Sequence, residues 1–234
     1  MGAGNDTVEI VGDVGASSWG IFTLDLGAGN DSLSIGGDVS AGGNGKVTID
    51  LGEGNDTLSL AGVIQTGDTG KVSIDLGEGN DLLVLQSGFS ITGDASLTGG
   101  TGVDTINLDN LGDTINLSNL TASGGKGLSG FEILSLSARP GEEGHANELV
   151  LDAASVDRLL EGADNLTFSV KGISYQNVEA LRVTGNAEDS VNLTDKNNWN
   201  DLGTTKVGGV TYEVYTTETS DEQTLYLLLQ TGLV

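Results

Sequence analysis

A five-residue motif, GxGND, recurs at a fixed interval of 25 residues and constrains the fold more than any other feature of the sequence. Four copies begin at Gly2, Gly27, Gly52 and Gly77, and a degenerate fifth copy, GTGVD, begins at Gly100, 23 residues after the fourth. Each copy places an aspartate behind two glycines. A fixed period of this length is typical of solenoids, in which each repeat forms one coil stacked on the next.

Apolar residues recur in register with this motif, two columns after the turn and three before it. They alternate with Thr, Ser, Asp, Glu or Asn, and Leu82 and Val84 are the exceptions. A period of two on both sides of a glycine turn predicts strand, turn and strand, with one buried face. Each strand is expected to pair in parallel with its copy in the next coil, about 4.8 Å away. The sequence therefore predicts a mainly all-β fold, a parallel β-helix or β-roll solenoid with 25-residue coils.

The charge pattern divides the chain into two regions. Residues 1–125 contain 17 acidic residues and two lysines, whereas 126–234 contain 17 acidic and seven basic residues. A glycine-rich stretch at 123–130 predicts the boundary between the repeat region, 1–125, and a β-rich C-terminal capping module, 126–234. In the second region, DAASVDRLLEG predicts a short helix near 152–162, capped by Asp152 and stopped by Gly162. VTYEVY and TLYLLLQ predict a hairpin.

Composition restricts the partners. A net charge of −25 disfavours nucleic acids and anionic membrane surfaces, and no apolar run reaches the roughly 18 residues of a membrane span. The chain contains no cysteine, so disulfides and thiolate metal sites are excluded. We expect a monomer without membrane insertion. The sequence begins inside a repeat and without a signal peptide, which predicts further repeats upstream in the natural protein.

The repeated turn has the composition of a calcium site. Glycine permits positive φ, which lets backbone carbonyls point into the space between coils, and the aspartate adds a carboxylate. Six to eight oxygen ligands suit Ca²⁺. Without a cation, stacked aspartates would repel one another by about 1 kcal/mol or more per neighbouring pair. Five turns enclose four gaps, which predicts about four Ca²⁺ ions in the row. The alternative is that Asn, Asp and Gly simply make good turns.

These turns resemble the nonapeptide GGxGxDxUx of the RTX (repeats-in-toxin) family, in which U is a large apolar residue. GGTGVDTIN, residues 99–107, matches every fixed position, whereas LGAGNDSLS, LGEGNDTLS and LGEGNDLLV have leucine first. The 25-residue interval departs from consecutive nonapeptides, so only one edge of each coil carries the motif clearly. Much of 129–234 resembles the segment that follows the repeats in large bacterial RTX adhesins.

The resemblance implies a β-roll that binds Ca²⁺ between turns, is exported by type I secretion machinery, and folds outside the cell. It also implies the ligands. The carboxylates would be those of Asp6, Asp31, Asp56, Asp81 and Asp104, and the carbonyls those of Gly27, Gly29, Gly52, Gly54, Gly77, Gly79, Gly100 and Gly102.

A weaker second row of calcium sites is predicted on another edge, near Asp13, Asp38, Asp68 and Asp94. This column is irregular, because Val63 stands where an aspartate would recur.

The function that these patterns favour is a non-catalytic, calcium-binding domain of a secreted bacterial adhesin. One alternative is the calcium-binding accessory module of a secreted protease, lipase or polysaccharide-modifying enzyme, with Asp25, Asp50 and Asp75 lining a groove. Equivalent carboxylates do not form an acid–base pair, however, and the single histidine, His145, is expected at the surface. No catalytic residue is therefore expected.

A less favoured alternative is an ice-binding solenoid, since one type of RTX-adhesin domain uses Thr and Asn in xGTGND turns. The corresponding positions here are Ala28, Glu53 and Glu78. Trp19 and Trp199 are expected to be packing or capping residues.

Overall fold

Each repeat forms one coil of a parallel β-solenoid, which confirms the predicted fold class. The computed structural model describes residues 1–110, 114–122, 126–138 and 146–233. The strands of the coils before residue 111 are β1 Gly2–Ala3, β2 Thr7–Ile10, β3 Val14–Ala16, β4 Ile21–Asp25, β5 Gly27–Ala28, β6 Ser32–Ile35, β7 Val39–Ala41, β8 Lys46–Asp50, β9 Thr57–Leu60, β10 Ile64–Thr66, β11 Lys71–Asp75, β12 Leu82–Gln86, β13 Ile91–Thr92, β14 Ala95–Thr98 and β15 Thr105–Asn110.

Three parallel sheets run along the solenoid, and each takes one strand from each of the first four coils. The first contains β2, β6, β9, β12 and β15, the second β3, β7, β10 and β13, and the third β4, β8, β11 and β14. The register follows the sequence columns: Leu33 pairs with Leu58 and Leu58 with Leu83. Leu83 then pairs with Ile106, which confirms the shorter interval before the fifth turn.

Aliphatic ladders fill the interior, because alternate side chains of every strand point to the same side. Leu33, Leu58 and Leu83 are fully buried, and each contributes roughly 1.5–3 kcal/mol through burial. The first coil has a neighbouring coil on one side only, so its ladder residue Val8 is partly buried. Trp19 lies in this coil and is 81% exposed, so it does not pack against the described residues.

The remaining elements combine short strands with one α-helix in the described residues. They are β16 Thr114–Asn116, the 3₁₀ turn Leu117–Asn119, β17 Thr121–Ala122, β18 Lys126–Ser129, β19 Ile133–Ser135, β20 Glu148–Leu151, α1 Ala153–Leu160, β21 Leu166–Val170, β22 Ile173–Val178, β23 Ala180–Thr184, β24 Ser190–Leu193, the 3₁₀ turn Lys196–Asn198, β25 Asn200–Val207, β26 Val210–Glu218 and β27 Thr224–Gln230.

The parallel ladders run across the change in charge at residues 125/126. β18 joins the third sheet beside β14, and β19, β23 and β27 extend the first sheet beyond β15. Leu134, Leu181 and Leu227 belong to the same hydrophobic core as Leu33. Antiparallel β26 and β25 then complete the first sheet. Residues 123–125, within the stretch predicted to contain the boundary, lie outside the described residues.

The predicted helix and hairpin are both present. α1 begins after Asp152, whose carboxylate accepts a hydrogen bond from Ser155 N–H at 2.7 Å, while Asp152 N–H donates to Ser155 Oγ at 3.0 Å. This reciprocal cap satisfies two backbone donors at the helix start. β26 and β27 pair in antiparallel fashion, as their sequences predict. Trp199 is buried and donates to Asp195 Oδ1 at 2.8 Å, so it packs as expected.

Candidate metal centre

The glycines of the repeated turn allow adjacent coils to approach closely. Gly52 and Gly54 have φ of +106° and +133°, in the region that disfavours residues with a side chain. A Cβ at Gly52 would lie 1.8 Å from the carbonyl oxygen of Gly27, and one at Gly54 would lie 2.1 Å from that of Gly29. The same conformation and the same close contact recur at the glycines that the RTX resemblance identifies, namely Gly27, Gly29, Gly77, Gly79, Gly100 and Gly102.

The turn carbonyls fall into two groups. The oxygen of Gly27 accepts a hydrogen bond from Glu53 N–H at 2.8 Å, and the oxygens of Gly52 and Gly77 are used in the same way. The oxygens of the second turn glycines, Gly29 and Gly54 among them, accept no hydrogen bond from any described residue. The second group therefore offers unpaired backbone oxygens on the edge of the solenoid that carries the aspartates.

The aspartates of the motif form one column along this edge. Asp31, Asp56, Asp81 and Asp104 are 0–2% exposed. In each, Oδ1 accepts the backbone N–H of the aspartate in the preceding coil at 2.7 Å, so that Asp56 Oδ1 binds Asp31 N–H. Asp6, in the first coil, continues the column through its N–H, which donates to Asp31.

The second carboxylate oxygen of each buried aspartate has no partner. Oδ2 of Asp31, Asp56, Asp81 and Asp104 is inaccessible to solvent and makes no hydrogen bond with any described residue. A buried, unpaired carboxylate oxygen is costly unless a cation or a proton compensates it. The arrangement repeats in four consecutive coils, so the residues fit a row of cations between the turns. Each of these coils supplies one unpaired carboxylate oxygen and the unpaired carbonyl oxygen of its second turn glycine.

The electrostatics of the column agree with this fit. Burial raises the pKa of Asp81 to about 7 and that of Asp104 to about 6, and burial also raises the pKa of Asp56. Neighbouring carboxylates add to each rise, while the hydrogen bond from the preceding coil opposes it. The ionised forms of Asp56, Asp81 and Asp104 are therefore disfavoured in the absence of a cation.

A second carboxylate column flanks the first. Asp25, Asp50 and Asp75 pair in register at the ends of β4, β8 and β11. Asp50 helps to raise the pKa of Asp56, and Asp75 helps to raise those of Asp81 and Asp104. From the sequence, these residues were predicted only as the possible lining of a groove. Each lies two residues before the first glycine of a turn, and this spacing places it beside the motif.

Glu132 occupies the next position in the aspartate column and was missed from the sequence. Since Thr105 pairs with Ile133, Glu132 lies opposite Asp104. Its Oε2 accepts Asp104 N–H at 2.6 Å, and its Oε1 accepts Asp164 N–H at 2.7 Å. Burial raises its pKa to about 7. An acidic residue two positions after Gly130, as in the repeats, is the signal that could have identified it.

The asparagines of the motif form a second column beside the aspartates. Their side chains bond to the coil on the opposite side. Asn30 Oδ1 accepts Asn55 N–H in the following coil at 2.9 Å, whereas the aspartates bind the preceding coil. Asn5, Asn55 and Asn80 make equivalent bonds. Each turn is therefore held to both of its neighbours by side chains. The asparagines therefore stabilise the turn itself, which is the role that the alternative interpretation assigned to the Asn, Asp and Gly residues of the motif.

The residues of the weaker second row do not share one column. Asp13 Oδ1 accepts Asp38 N–H at 2.9 Å, and Asp38 Oδ1 accepts Val63 N–H at 3.0 Å, so these two aspartates are stacked. Asp68 lies in the exposed turn between β10 and β11. Asp94 lies 2.9 Å from Lys126, which lowers its pKa. The structure therefore brings together only the first two of the four.

Among the described residues, no three acidic, histidine or cysteine side chains are grouped closely enough to hold a metal ion by themselves. His145 lies outside those residues. No helix in the described part of the chain combines the length and hydropathy needed to cross a membrane. Comparisons with protein-family models, with curated proteins and with solved structures find no match for this chain.

Proposed function

We propose that this chain is a non-catalytic Ca²⁺-binding segment of a secreted bacterial adhesin, exported by type I secretion machinery and folded by calcium outside the cell. The observation that carries the proposal is the row of four buried carboxylate oxygens without partners. Unpaired glycine carbonyls on the same edge add the neutral oxygen ligands that Ca²⁺ prefers. The assignment to an adhesin rests on the resemblance of the repeats and the C-terminal region to RTX proteins.

The residues of the row have distinct roles in this proposal. Asp31, Asp56, Asp81 and Asp104 hold the ion through Oδ2 while Oδ1 fixes the spacing between coils. The turn glycines allow the close approach that brings oxygens of two coils together. A bound Ca²⁺ supplies positive charge that compensates the buried carboxylates. Because binding requires stacked coils, the binding free energy becomes folding free energy.

A calcium titration followed by far-ultraviolet circular dichroism tests this proposal. The chain, first stripped with a chelator, is expected to gain β-structure as Ca²⁺ is added. Asp56→Asn is expected to shift the midpoint to higher calcium, because the amide removes one charged ligand. Asp68→Asn removes an exposed charge outside the row and is the matched control, expected to leave the midpoint unchanged. Full β-structure in chelator, unaltered by calcium, would count against the proposal.

A further inference from the structure

An open groove of about 610 Å³ lies where the β21–β22 hairpin meets the antiparallel strands β25, β26 and β27. This volume is within the range of small-ligand sites. None of its described lining residues belongs to the aspartate row or to the repeated turns. The side chains that matter for its chemistry are Tyr175, Asn200, Thr216, Glu218, Thr224 and Tyr226.

One wall of the groove is a regular polar array. Thr216 pairs with both Asn200 and Tyr226, so these three residues form one row across β25, β26 and β27. Glu218 pairs with Thr224 in the next row on the same face, two residues further along. Side chains in one row lie roughly 5 Å apart, and adjacent rows about 7 Å apart. The face therefore presents the exposed Asn200 amide and Thr224 hydroxyl, and the Thr216 hydroxyl, which donates to the Leu225 carbonyl at 3.1 Å, can still accept a hydrogen bond.

The aromatic residues of the groove are fixed by contacts among themselves. The rings of Phe168 and Tyr175 stack at 5.3 Å between centroids, and Tyr175 meets Tyr226 edge to face at 5.4 Å. Tyr175 and Tyr226 are half-buried, and neither hydroxyl makes a hydrogen bond with a described residue. Rigid tyrosines beside short polar side chains bind with little loss of conformational entropy.

The charge of the groove narrows the class of ligand. Glu218 is the only charged residue among its described lining residues, and no lysine or arginine contributes. The net charge of −25 adds a general repulsion of anions. A cationic peptide would find a single carboxylate. Hydroxyl and amide groups both donate and accept hydrogen bonds, and the tyrosine rings offer apolar surface.

We propose that this groove binds a neutral oligosaccharide, with Tyr175 and Tyr226 against the sugar rings and Asn200, Thr216 and Thr224 bonded to their hydroxyls. The inference goes beyond the proposed calcium function and does not depend on it. In an adhesin, this site would define a class of surface target. If the chain does not bind calcium, the glycan proposal still stands. If it does not bind a glycan, the calcium proposal still stands.

The test uses the full chain in calcium buffer against immobilised probes of three kinds. These are neutral oligosaccharides of glucose, galactose, mannose and N-acetylglucosamine, their uronic-acid or sialylated counterparts, and a lysine-rich peptide. The chain is expected to bind at least one neutral oligosaccharide. Tyr226→Ala is expected to weaken that binding by about tenfold or more, as truncation of a central aromatic contact commonly does. Ile173→Ala, on the same hairpin but outside the groove, should bind like the unaltered chain.

Because Tyr226 also packs against Phe168, a second variant guards against a change in folding. Asn200 and Thr224 are exposed, so the pair Asn200→Ala and Thr224→Val leaves the aromatic cluster intact and should also weaken binding. Circular dichroism of each variant checks its fold. The proposal is overturned if no neutral oligosaccharide binds at millimolar concentration, if the double variant binds normally, or if the acidic glycans or the peptide bind better.

Discussion

The carboxylates of the repeats and the carboxylate that ends their column are buried to the same degree but have different partners. Asp56 uses one oxygen for a backbone N–H and leaves the other unpaired. Glu132 uses both oxygens, for Asp104 N–H and Asp164 N–H. The longer glutamate closes the column with hydrogen bonds from the chain itself. The repeats instead leave an oxygen for a cation, so calcium dependence should belong to the repeats and not to the C-terminal region.

The largest expected effect comes from filling the contact between coils. Gly52→Ala places a Cβ 1.8 Å from the Gly27 carbonyl at a φ of +106°, so the coils must separate. We expect the free energy of unfolding to fall by about 3 kcal/mol or more, and calcium binding to weaken. Gly42→Ala, which meets no atom within 4 Å, is the matched control. Thermal unfolding in calcium measures both, and equal midpoints would contradict the account.

Exchanging a carboxylate for an amide should have opposite effects in the two regions when calcium is absent. Asp56→Asn keeps an acceptor for Asp31 N–H and removes a buried charge, so it should stabilise the calcium-free chain by up to about 1 kcal/mol. Glu132→Gln replaces one acceptor with a donor that faces a backbone N–H, and should destabilise the chain by about 1–2 kcal/mol.

Circular dichroism in chelator, which reports the folded fraction, and chemical denaturation in saturating calcium separate the two variants. Calcium should reverse the sign for Asp56→Asn, because the variant lacks a charged ligand, and should leave the effect of Glu132→Gln unchanged. If both variants stabilise the chain in chelator, or both destabilise it, the carboxylates of the row and Glu132 do not differ in the way proposed.

The contrast between the regions also explains what the sequence could predict. Each ladder contact repeats at one interval, so Leu33, Leu58 and Leu83 identify their own partners by spacing. The end of the column depends on contacts that occur once. Glu132 is joined to Asp164, and Asp164 Oδ2 accepts Gly102 N–H from 62 residues away. No periodic pattern marks such a contact. The groove likewise depends on contacts between a hairpin and three strands. These elements lie outside the repeats, so no repeated column of residues predicts their contacts.

The pH dependence of stability provides a smaller and separate test. In the calcium-free fold the pKa is raised to about 7 for Asp81 and Glu132 and to about 6 for Asp104, above the unfolded value of roughly 4. A carboxylate whose pKa is raised by folding makes its full contribution to stability at a pH below its unfolded pKa. That contribution is lost as the pH rises through the folded pKa values, about 6 to 7. The fraction of the chain that is folded in chelator, measured by circular dichroism, should therefore fall from pH 5 to pH 8.

Saturating calcium should abolish or reverse this trend, because calcium binds the deprotonated carboxylates. A folded fraction that rises between pH 5 and pH 8 in chelator would show that the buried carboxylates are compensated in some other way.

The smallest effect is expected outside the row. Asp94 pairs with Lys126 at 2.9 Å on the surface, so it already has a positive partner. Asp94→Asn should leave both the calcium stoichiometry and the thermal midpoint unchanged, because exposed ion pairs contribute little. A loss of bound calcium in this variant would assign a metal site to the second row and extend the calcium-binding surface.

Isothermal calorimetry of calcium binding to the chelator-treated chain is the decisive test of whether the aspartate row holds calcium. The four unpaired aspartate oxygens lie in consecutive coils, so we expect about four bound Ca²⁺ ions with a concurrent gain of β-structure. Replacing Asp31, Asp56, Asp81 and Asp104 together by asparagine should abolish this binding. No stoichiometric binding at millimolar calcium, by a chain that is already folded, would contradict the account.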